Sequence, residues 1–220
     1  MSTMITDPPR PLPAGQRTAL LHRMLVMRHL AEHHAAMLSP NPGDAEVTFH
    51  VGEEATAAGV LAALGPGDAM MQSTGPRAFN LARDDLRAHR AAVTVCLCED
   101  DDHDWLAAAR RSRLSMLCLR PGRDPGTVRH ASDETVDGSD VEAVLPHICG
   151  TLRAIRAGAG PCRLNLRTDG PADPIDTLVV RMIAAHQLDD NALHAIDAAA
   201  LARARAALAN APARRAVKLP

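Results

Sequence analysis

Short apolar runs alternate with longer amphipathic stretches along this chain. The apolar runs cover residues 93–98, 116–119 and 163–166, and residues 69–73 read as a further strand. Runs of this length are typical of buried strands, whereas the stretches between them repeat apolar residues at helical spacing. Strands that alternate with helices indicate crossover connections, so the pattern predicts an α/β fold with a parallel sheet flanked by helices.

Helical patterns are longest toward the two ends of the chain. Residues 15–38 place Leu21, Leu25, Leu30 and Met37 on one apolar side, and the Pro- and Gly-containing residues 39–43 are expected to end that helix. Pro76 suits the first turn of another helix. The further helices are predicted over 52–64, 76–90, 174–187 and 190–210.

The same patterns divide the chain into three parts. Residues 1–14 are rich in proline and are expected to form an irregular or extended arm. Residues 15–210 form a single α/β domain that is long enough to bury a sizeable core and that ends in a helical tail. Residues 211–220 are expected to be loose.

The most distinctive stretch is H-V-G-E-E-A-T-A-A-G-V at 50–60, followed by L-G-P-G-D at 64–68. Residues 20–32 upstream read L-L-H-R-M-L-V-M-R-H-L-A-E, and V-D-G-S-D-V, R-A-G-A-G-P and D-P-I-D follow at 136–141, 156–161 and 173–176. In this order the segments resemble the α subunit of the thiamine-diphosphate-dependent dehydrogenase component of 2-oxo acid dehydrogenase complexes, of the pyruvate and branched-chain types. The family signature reads H-x-x-x-G-Q-E-A, so here Glu53 stands in place of its Gln, and the His is closer to the Gly than in the family.

This resemblance implies a truncated thiamine-diphosphate-binding type of α/β fold and a shared active site. In the family, two α-like and two β-like chains assemble, and the cofactor spans their interface. The acid that activates the aminopyrimidine ring of the cofactor lies on the β-like chain. An α-like chain is therefore only half of a site.

The elements that bind the diphosphate in that family are altered or missing here. Where the family has G-D-G-x-x-N-E-G at a strand end, this chain has E-D-D-D at 99–102, followed by H-D-W-L-A-A, which matches the next helix of the family. Its metal-binding E-N-N-x-Y corresponds to P-G-R-D-P at 121–125, and its phosphate-binding Y-R-x-H aligns with T-G-P-R at 74–77. The resemblance thus implies a retained scaffold without its half of the diphosphate site.

The acidic run at 99–102 has two interpretations. At about 4 Å, each pair of like charges near a protein surface costs about 4 kcal/mol, so the run repels a diphosphate unless a metal bridges them. It could hold a hard cation through oxygen ligands, with His103 nearby. The commoner explanation is a solvated helix N-terminus, where acids cap free amides and complement the helix dipole.

Four side chains are candidates for catalysis: His50, Glu53, Arg77 and His103. The resemblance places His50 and Glu53 beside the cofactor cleft, although a histidine next to a helix cap is also commonly structural. Arg77 follows the strand 69–73 and could bind an anion there, or it could be a solvated arginine at a helix start. No set of metal ligands is predicted.

Composition excludes several classes of function. The aromatic residues Phe, Trp and Tyr make up 1% of the chain, with no Tyr, and the formal net charge is −2. Few side chains could stack on bases and there is no excess of positive charge, so a nucleic-acid partner is not expected. The five cysteines lie mostly within apolar patterns, which is typical of buried thiols in a reducing compartment. No apolar run reaches the roughly 20 residues that a membrane span needs, and no signal-peptide pattern opens the chain. We expect a cytoplasmic protein.

Together these features predict a degenerate α-like subunit of a heteromeric 2-oxo acid dehydrogenase-like enzyme. It is expected to form a heterotetramer with a separate β-like chain and to share with it an active site for a small carbonyl or 2-oxo acid substrate, in a specialised biosynthetic pathway. Thiamine diphosphate and magnesium would bind only at a site rebuilt with the partner chain. Two alternatives remain: a working thiamine-diphosphate-dependent subunit with such a rebuilt site, and a non-catalytic subunit that stabilises the β-like partner.

Overall fold

A five-stranded parallel sheet organises the chain. The computed structural model describes residues 12–32, 37–38, 47–48, 50–72, 75–88, 92–97, 103–122, 134–168, 170 and 172–210. The elements in chain order are α1 (Ala14–Glu32), β1 (Met37–Leu38), β2 (Val47–Thr48), α2 (Glu54–Ala63), β3 (Ala69–Gln72), α3 (Gly75–Arg87), β4 (Thr94–Leu97), α4 (His103–Arg111), β5 (Met116–Gly122), β6 (Glu134–Asp137), α5 (Val141–Ala154), a π-helical turn (Ile155–Ala159), β7 (Cys162–Arg167), α6 (Pro174–Ala184) and α7 (Asp190–Asn210).

The strand order in the sheet is β3-β4-β5-β7-β6, with every neighbouring pair parallel. Strand β7 is therefore inserted between β5 and β6, so the direction of the connections reverses there. A separate two-stranded ladder joins β1 and β2 in antiparallel orientation. The predicted parallel sheet flanked by helices is confirmed, and so is the C-terminal helix.

Both faces of the sheet are buried, which explains why its strands read as continuous apolar runs. Met70, Val95 and Leu117 are in register and belong to a broad core against α1, α2, α5, α6 and α7. Cys96 and Cys118 point to the opposite face and belong to a narrow core against α3 and α4. The prediction of buried thiols is thus confirmed for these two cysteines.

One predicted helix was too long. Residues 15–38 were expected to form a single helix, but α1 ends at Glu32, and Met37 and Leu38 pair with Thr48 and Val47 in the β1–β2 ladder. Met37 is seven residues after Leu30, so it fits the helical period equally well. Residues 37–38 form a strand because they pair with β2, and the periodicity of residues 15–38 contains no information about that partner.

The remaining predicted elements agree with the structure to within a few residues. Strand β6 was not predicted, because its sequence, E-T-V-D, has a single apolar residue. Residues 1–11 of the arm, the 39–43 stop and the 211–220 tail lie outside the described residues. Among the described helices, none is long and apolar enough to cross a membrane.

Candidate functional site

The carboxyl edge of the sheet is where loops follow parallel strands, and it is the usual place for ligands in α/β folds. Helix α3 begins directly after β3, and α4 follows β4. Arg77 therefore lies in the first turn of α3 and His103 is the first residue of α4, both at this edge. Their side chains, and the acidic run at 99–102, lie outside the described residues.

His50 and Glu53 form the turn that enters α2. The backbone N–H of His50 donates to Glu53 Oε2 at 3.0 Å, and the Glu53 N–H donates to the His50 carbonyl at 3.0 Å. Between them Gly52 adopts a φ of +98°, which favours glycine. The Glu53 carboxylate thus shapes its own turn, while the side chain of His50 is exposed to solvent.

A half-buried ion network lies directly behind this turn. Arg28 Nε on α1 donates to Glu54 Oε1 at 2.6 Å, and Arg28 Nη2 donates to Asp173 Oδ2 at 2.8 Å. Glu54 is only 2% exposed, and its second oxygen accepts from the Gly52 N–H at 2.8 Å. The hydrogen bond with Glu54 raises the pKa of Arg28, against a smaller lowering by burial. The network ties α1, the signature turn and the start of α6 together.

Asp173 has two roles at once, since it also caps α6. Its Oδ1 accepts from the backbone N–H groups of Ile175 at 2.8 Å and Asp176 at 3.3 Å. Burial by itself raises the pKa of Asp173, but the hydrogen bonds from Arg28 and from these two amides together lower it. Asp173 is therefore held as a carboxylate at the helix N-terminus, where the dipole also favours a negative charge.

A second contact joins α2 to the ends of the last two strands. Thr56 Oγ1 donates to the carbonyl of Gly138 at 2.9 Å, and the Gly138 N–H donates to the Arg167 carbonyl at 2.7 Å. A Cβ at position 138 would lie 2.9 Å from Thr56 Oγ1 and 3.0 Å from the Arg167 oxygen. Only glycine fits this approach, which places the V-D-G turn against the signature helix.

Residues of the matched segments also contact one another at the amino edge of the sheet, where the strands begin. Asp68 accepts from the Gly65 N–H at 2.7 Å and from the Val93 N–H at 2.9 Å. Its carboxylate also forms an ion pair with Arg156, in the segment R-A-G-A-G-P. This segment turns at Gly158, whose φ is +93°.

The segments that resemble the 2-oxo acid dehydrogenase family thus contact one another in pairs. Sequence reasoning named His50, Glu53, Arg77 and His103, and the backbone brings all four toward the carboxyl edge. It missed the pairing of Arg28, Glu54 and Asp173. The available signal was that these opposite charges all lie within the matched segments.

The described residues do not by themselves fit a magnesium–diphosphate group. Within them, no cluster of three or more His, Cys, Asp or Glu side chains is placed to hold a metal ion. The strand ends at this edge present Leu97 on β4 and Arg120-Pro121-Gly122 on β5, whereas magnesium needs oxygen ligands.

Comparisons with known proteins assign no family. No family model matches the chain, and no curated protein matches it.

Proposed function

We propose that this chain is a degenerate α-like subunit of a heteromeric 2-oxo acid dehydrogenase-like enzyme. It assembles with a separate β-like chain and shares with it an active site for carbonyl or 2-oxo acid chemistry. The observation that carries the proposal is the Arg28–Glu54–Asp173 network, because its three residues belong to three separate segments of the resemblance.

These contacts support a common scaffold because they join residues that are far apart in the chain. Arg28 and Glu54 are separated by 26 positions, and Arg28 and Asp173 by 145. A fortuitous match of short motifs gives no reason for the matched residues to pair with opposite charges. A scaffold held together by these ion pairs does, since each hydrogen bond to a charged group contributes about 1.5–3 kcal/mol.

Two features of the surface favour a partner chain. On α6, Val180 is 65% exposed and Ile183 is 44% exposed, and residues three apart share one side of a helix. Val51 is also exposed, directly beside His50 at the signature turn. Neighbouring exposed large apolar side chains are a feature of surfaces that a second chain covers.

His50 is the described side chain best placed to take part in the chemistry. Its backbone is fixed by Glu53, and its imidazole faces solvent at the carboxyl edge. Histidine is the residue most often used to move protons near neutral pH. In the assembled enzyme, His50 transfers a proton at the substrate carbonyl, and the partner chain provides most of the remaining groups.

A non-catalytic, stabilising subunit is the second candidate function. Glu53 and Glu54 both use their carboxylates on backbone amides or on Arg28, which is a structural use of motif residues. Under this alternative, α2 and its neighbours serve only to hold the β-like chain.

Co-expression with a β-like chain from the same organism tests the proposal. We expect a stable complex of two chains of each kind by light scattering, and Val180→Asp should weaken it at least tenfold without unfolding the subunit. A chain that stays monomeric beside every β-like chain of the organism contradicts the proposal.

The assembled complex then separates the candidate functions. Turnover of a 2-oxo acid that falls at least tenfold in His50→Ala supports a catalytic α-like subunit, and unchanged turnover supports the stabilising one. Calorimetric titration with thiamine diphosphate and magnesium should give no binding. Micromolar binding would instead support the working thiamine-diphosphate enzyme with a site rebuilt from other residues.

A further inference from the structure

A groove lies between α1 and α7 and shares no residue with the candidate site at the carboxyl edge. Its volume is about 560 Å³, within the usual range of about 300–1,000 Å³ for small-molecule sites. The groove exists because small residues line both helices where they face each other. Its non-polar walls are Gly15, Ala19, Val26, Ala195, Ile196 and Ala199.

Arg23 is the one arginine that lines this apolar groove. Its Nη1 atom is shielded from solvent and has no hydrogen-bond acceptor among the described residues. Burial lowers the pKa of the Arg23 guanidinium, but an arginine stays charged at neutral pH. The groove therefore contains a cation whose hydrogen-bonding capacity is not fully used.

The other arginines buried along α1 are different in this respect. Arg17 donates to Glu142 at 2.8 Å, and Arg28 donates to Glu54 and Asp173. The charges of the two other arginines of α1 are thus neutralised by carboxylates from other elements. Since an uncompensated, partly buried charge is unfavourable, the groove is electrostatically suited to a ligand that brings a carboxylate.

We propose that the α1–α7 groove binds a small amphipathic monocarboxylate. Its apolar body lies along the alanine-lined walls, and its carboxylate accepts hydrogen bonds from the Arg23 guanidinium. The concave shape and the volume of the groove fit a small molecule better than a flat protein surface. This site is independent of the proposed function at the carboxyl edge.

Decanoate and 1-decanol are matched probes, because they share an apolar body and differ in the charge of the head group. We expect the full chain to bind decanoate, measured by calorimetry below its micellar concentration, with a Kd at least tenfold lower than that for 1-decanol. In Arg23→Met this preference should disappear while binding of 1-decanol is retained. The control Arg205→Met removes an exposed arginine of α7 and should keep the preference.

A second variant tests the walls of the groove without changing its charge. Ala199→Leu should weaken binding of both probes at least tenfold, because the added side chain occupies the space of the apolar body. Failure of the folded chain to bind decanoate, equal affinity for the two probes, or a preference that survives Arg23→Met would overturn the proposal. If Arg23→Met does not fold, the head-group comparison in the native chain and Ala199→Leu decide the question.

Discussion

Individual side chains fix the positions of the elements through a few directed contacts. Arg28 contacts two carboxylates, Thr56 contacts the V-D-G turn, and Asp68 ties two loops and Arg156 together. Each contact joins elements that are distant in the sequence. Substitutions at these positions should therefore affect the whole fold, whereas exposed ion pairs should matter little.

Glu54→Ala should lower the free energy of unfolding by about 1.5–3 kcal/mol, because it removes a charge-assisted hydrogen bond of Arg28, which keeps its contact with Asp173. Urea denaturation measures this loss. Arg181→Ala is the control, since it removes the ion pairs with Asp140 and Glu142 from an arginine side chain that is 44% exposed, and it should cost about 0–1 kcal/mol. Equal effects of the two substitutions would contradict a buried Glu54 carboxylate that pairs with Arg28.

The same chemical change should have opposite effects at two threonines. Thr56→Val loses the hydrogen bond to Gly138 and should destabilise the protein by about 1–3 kcal/mol. Thr94 is fully buried, and its Oγ1 has no hydrogen-bond partner in the described part of the chain. Thr94→Val should therefore increase the free energy of unfolding by roughly 1 kcal/mol and raise the melting temperature. A lower melting temperature for Thr94→Val would reveal a partner for that hydroxyl.

Asp173 should make the stability depend on pH in the acid range. Its pKa is lower in the folded chain than in the unfolded chain, so its contribution is complete above the unfolded value, about 3.9, and is lost as the pH falls through the folded value. Asp173→Asn should flatten the loss of stability below about pH 4. Chemical denaturation at a series of pH values measures it, and an unchanged slope would show that the Arg28–Asp173 pair is not formed in solution.

Helices and strands could be predicted from the sequence where the residues of the element themselves carry the hydrophobic pattern. Helix α7 has the predicted bounds, and β4 and β5 lie within or beside the predicted apolar runs. The ladder of β1 with β2 and the edge strand β6 could not be derived, because each depends on a distant partner rather than on its own residues. The candidate site has the same limit: the spacing of motifs indicated which segments matter, but not that Arg28 pairs with Asp173.

The packing of α2 against α5 can be tested with two helical glycines. A Cβ at Gly59 would lie 2.7 Å from Val144 Cγ1 on α5, so Gly59→Ala should destabilise the protein by about 1–3 kcal/mol. A Cβ at Gly150 meets nothing within 4 Å, and Gly150→Ala should add about 0.8–1.0 kcal/mol through helix propensity. Urea denaturation of both variants measures the difference. Stabilisation by both would mean that α2 and α5 are less closely packed.

The whole molecule has an uneven distribution of core. Among the described residues, the broad core joins five helices to one face of the sheet, whereas the narrow core is formed with α3 and α4. Ion pairs such as Arg17–Glu142 and Arg28–Glu54 strengthen the broad side further. The two faces should therefore differ in local stability.

Hydrogen exchange should reveal this difference. Amides of α3 and α4 are expected to exchange through a partial opening that leaves α1, α2 and α5 protected, because fewer buried contacts hold the narrow side. Exchange followed by mass spectrometry at increasing urea concentrations resolves such units. Protection of α4 equal to that of α5 would show instead that the two faces open together.

The Arg28–Asp173 contact also has a consequence for synthesis on the ribosome. The two residues are 145 positions apart, so at about 5–20 residues per second roughly 7–30 s pass before Asp173 follows Arg28 out of the peptidyl transferase centre. During that time Leu21, Met24 and Leu30, which are fully buried in the finished protein, have no completed core to enter. Helix α1 is therefore synthesised early but packs into the core late. In the interval its apolar side is a binding site for chaperones on the nascent chain.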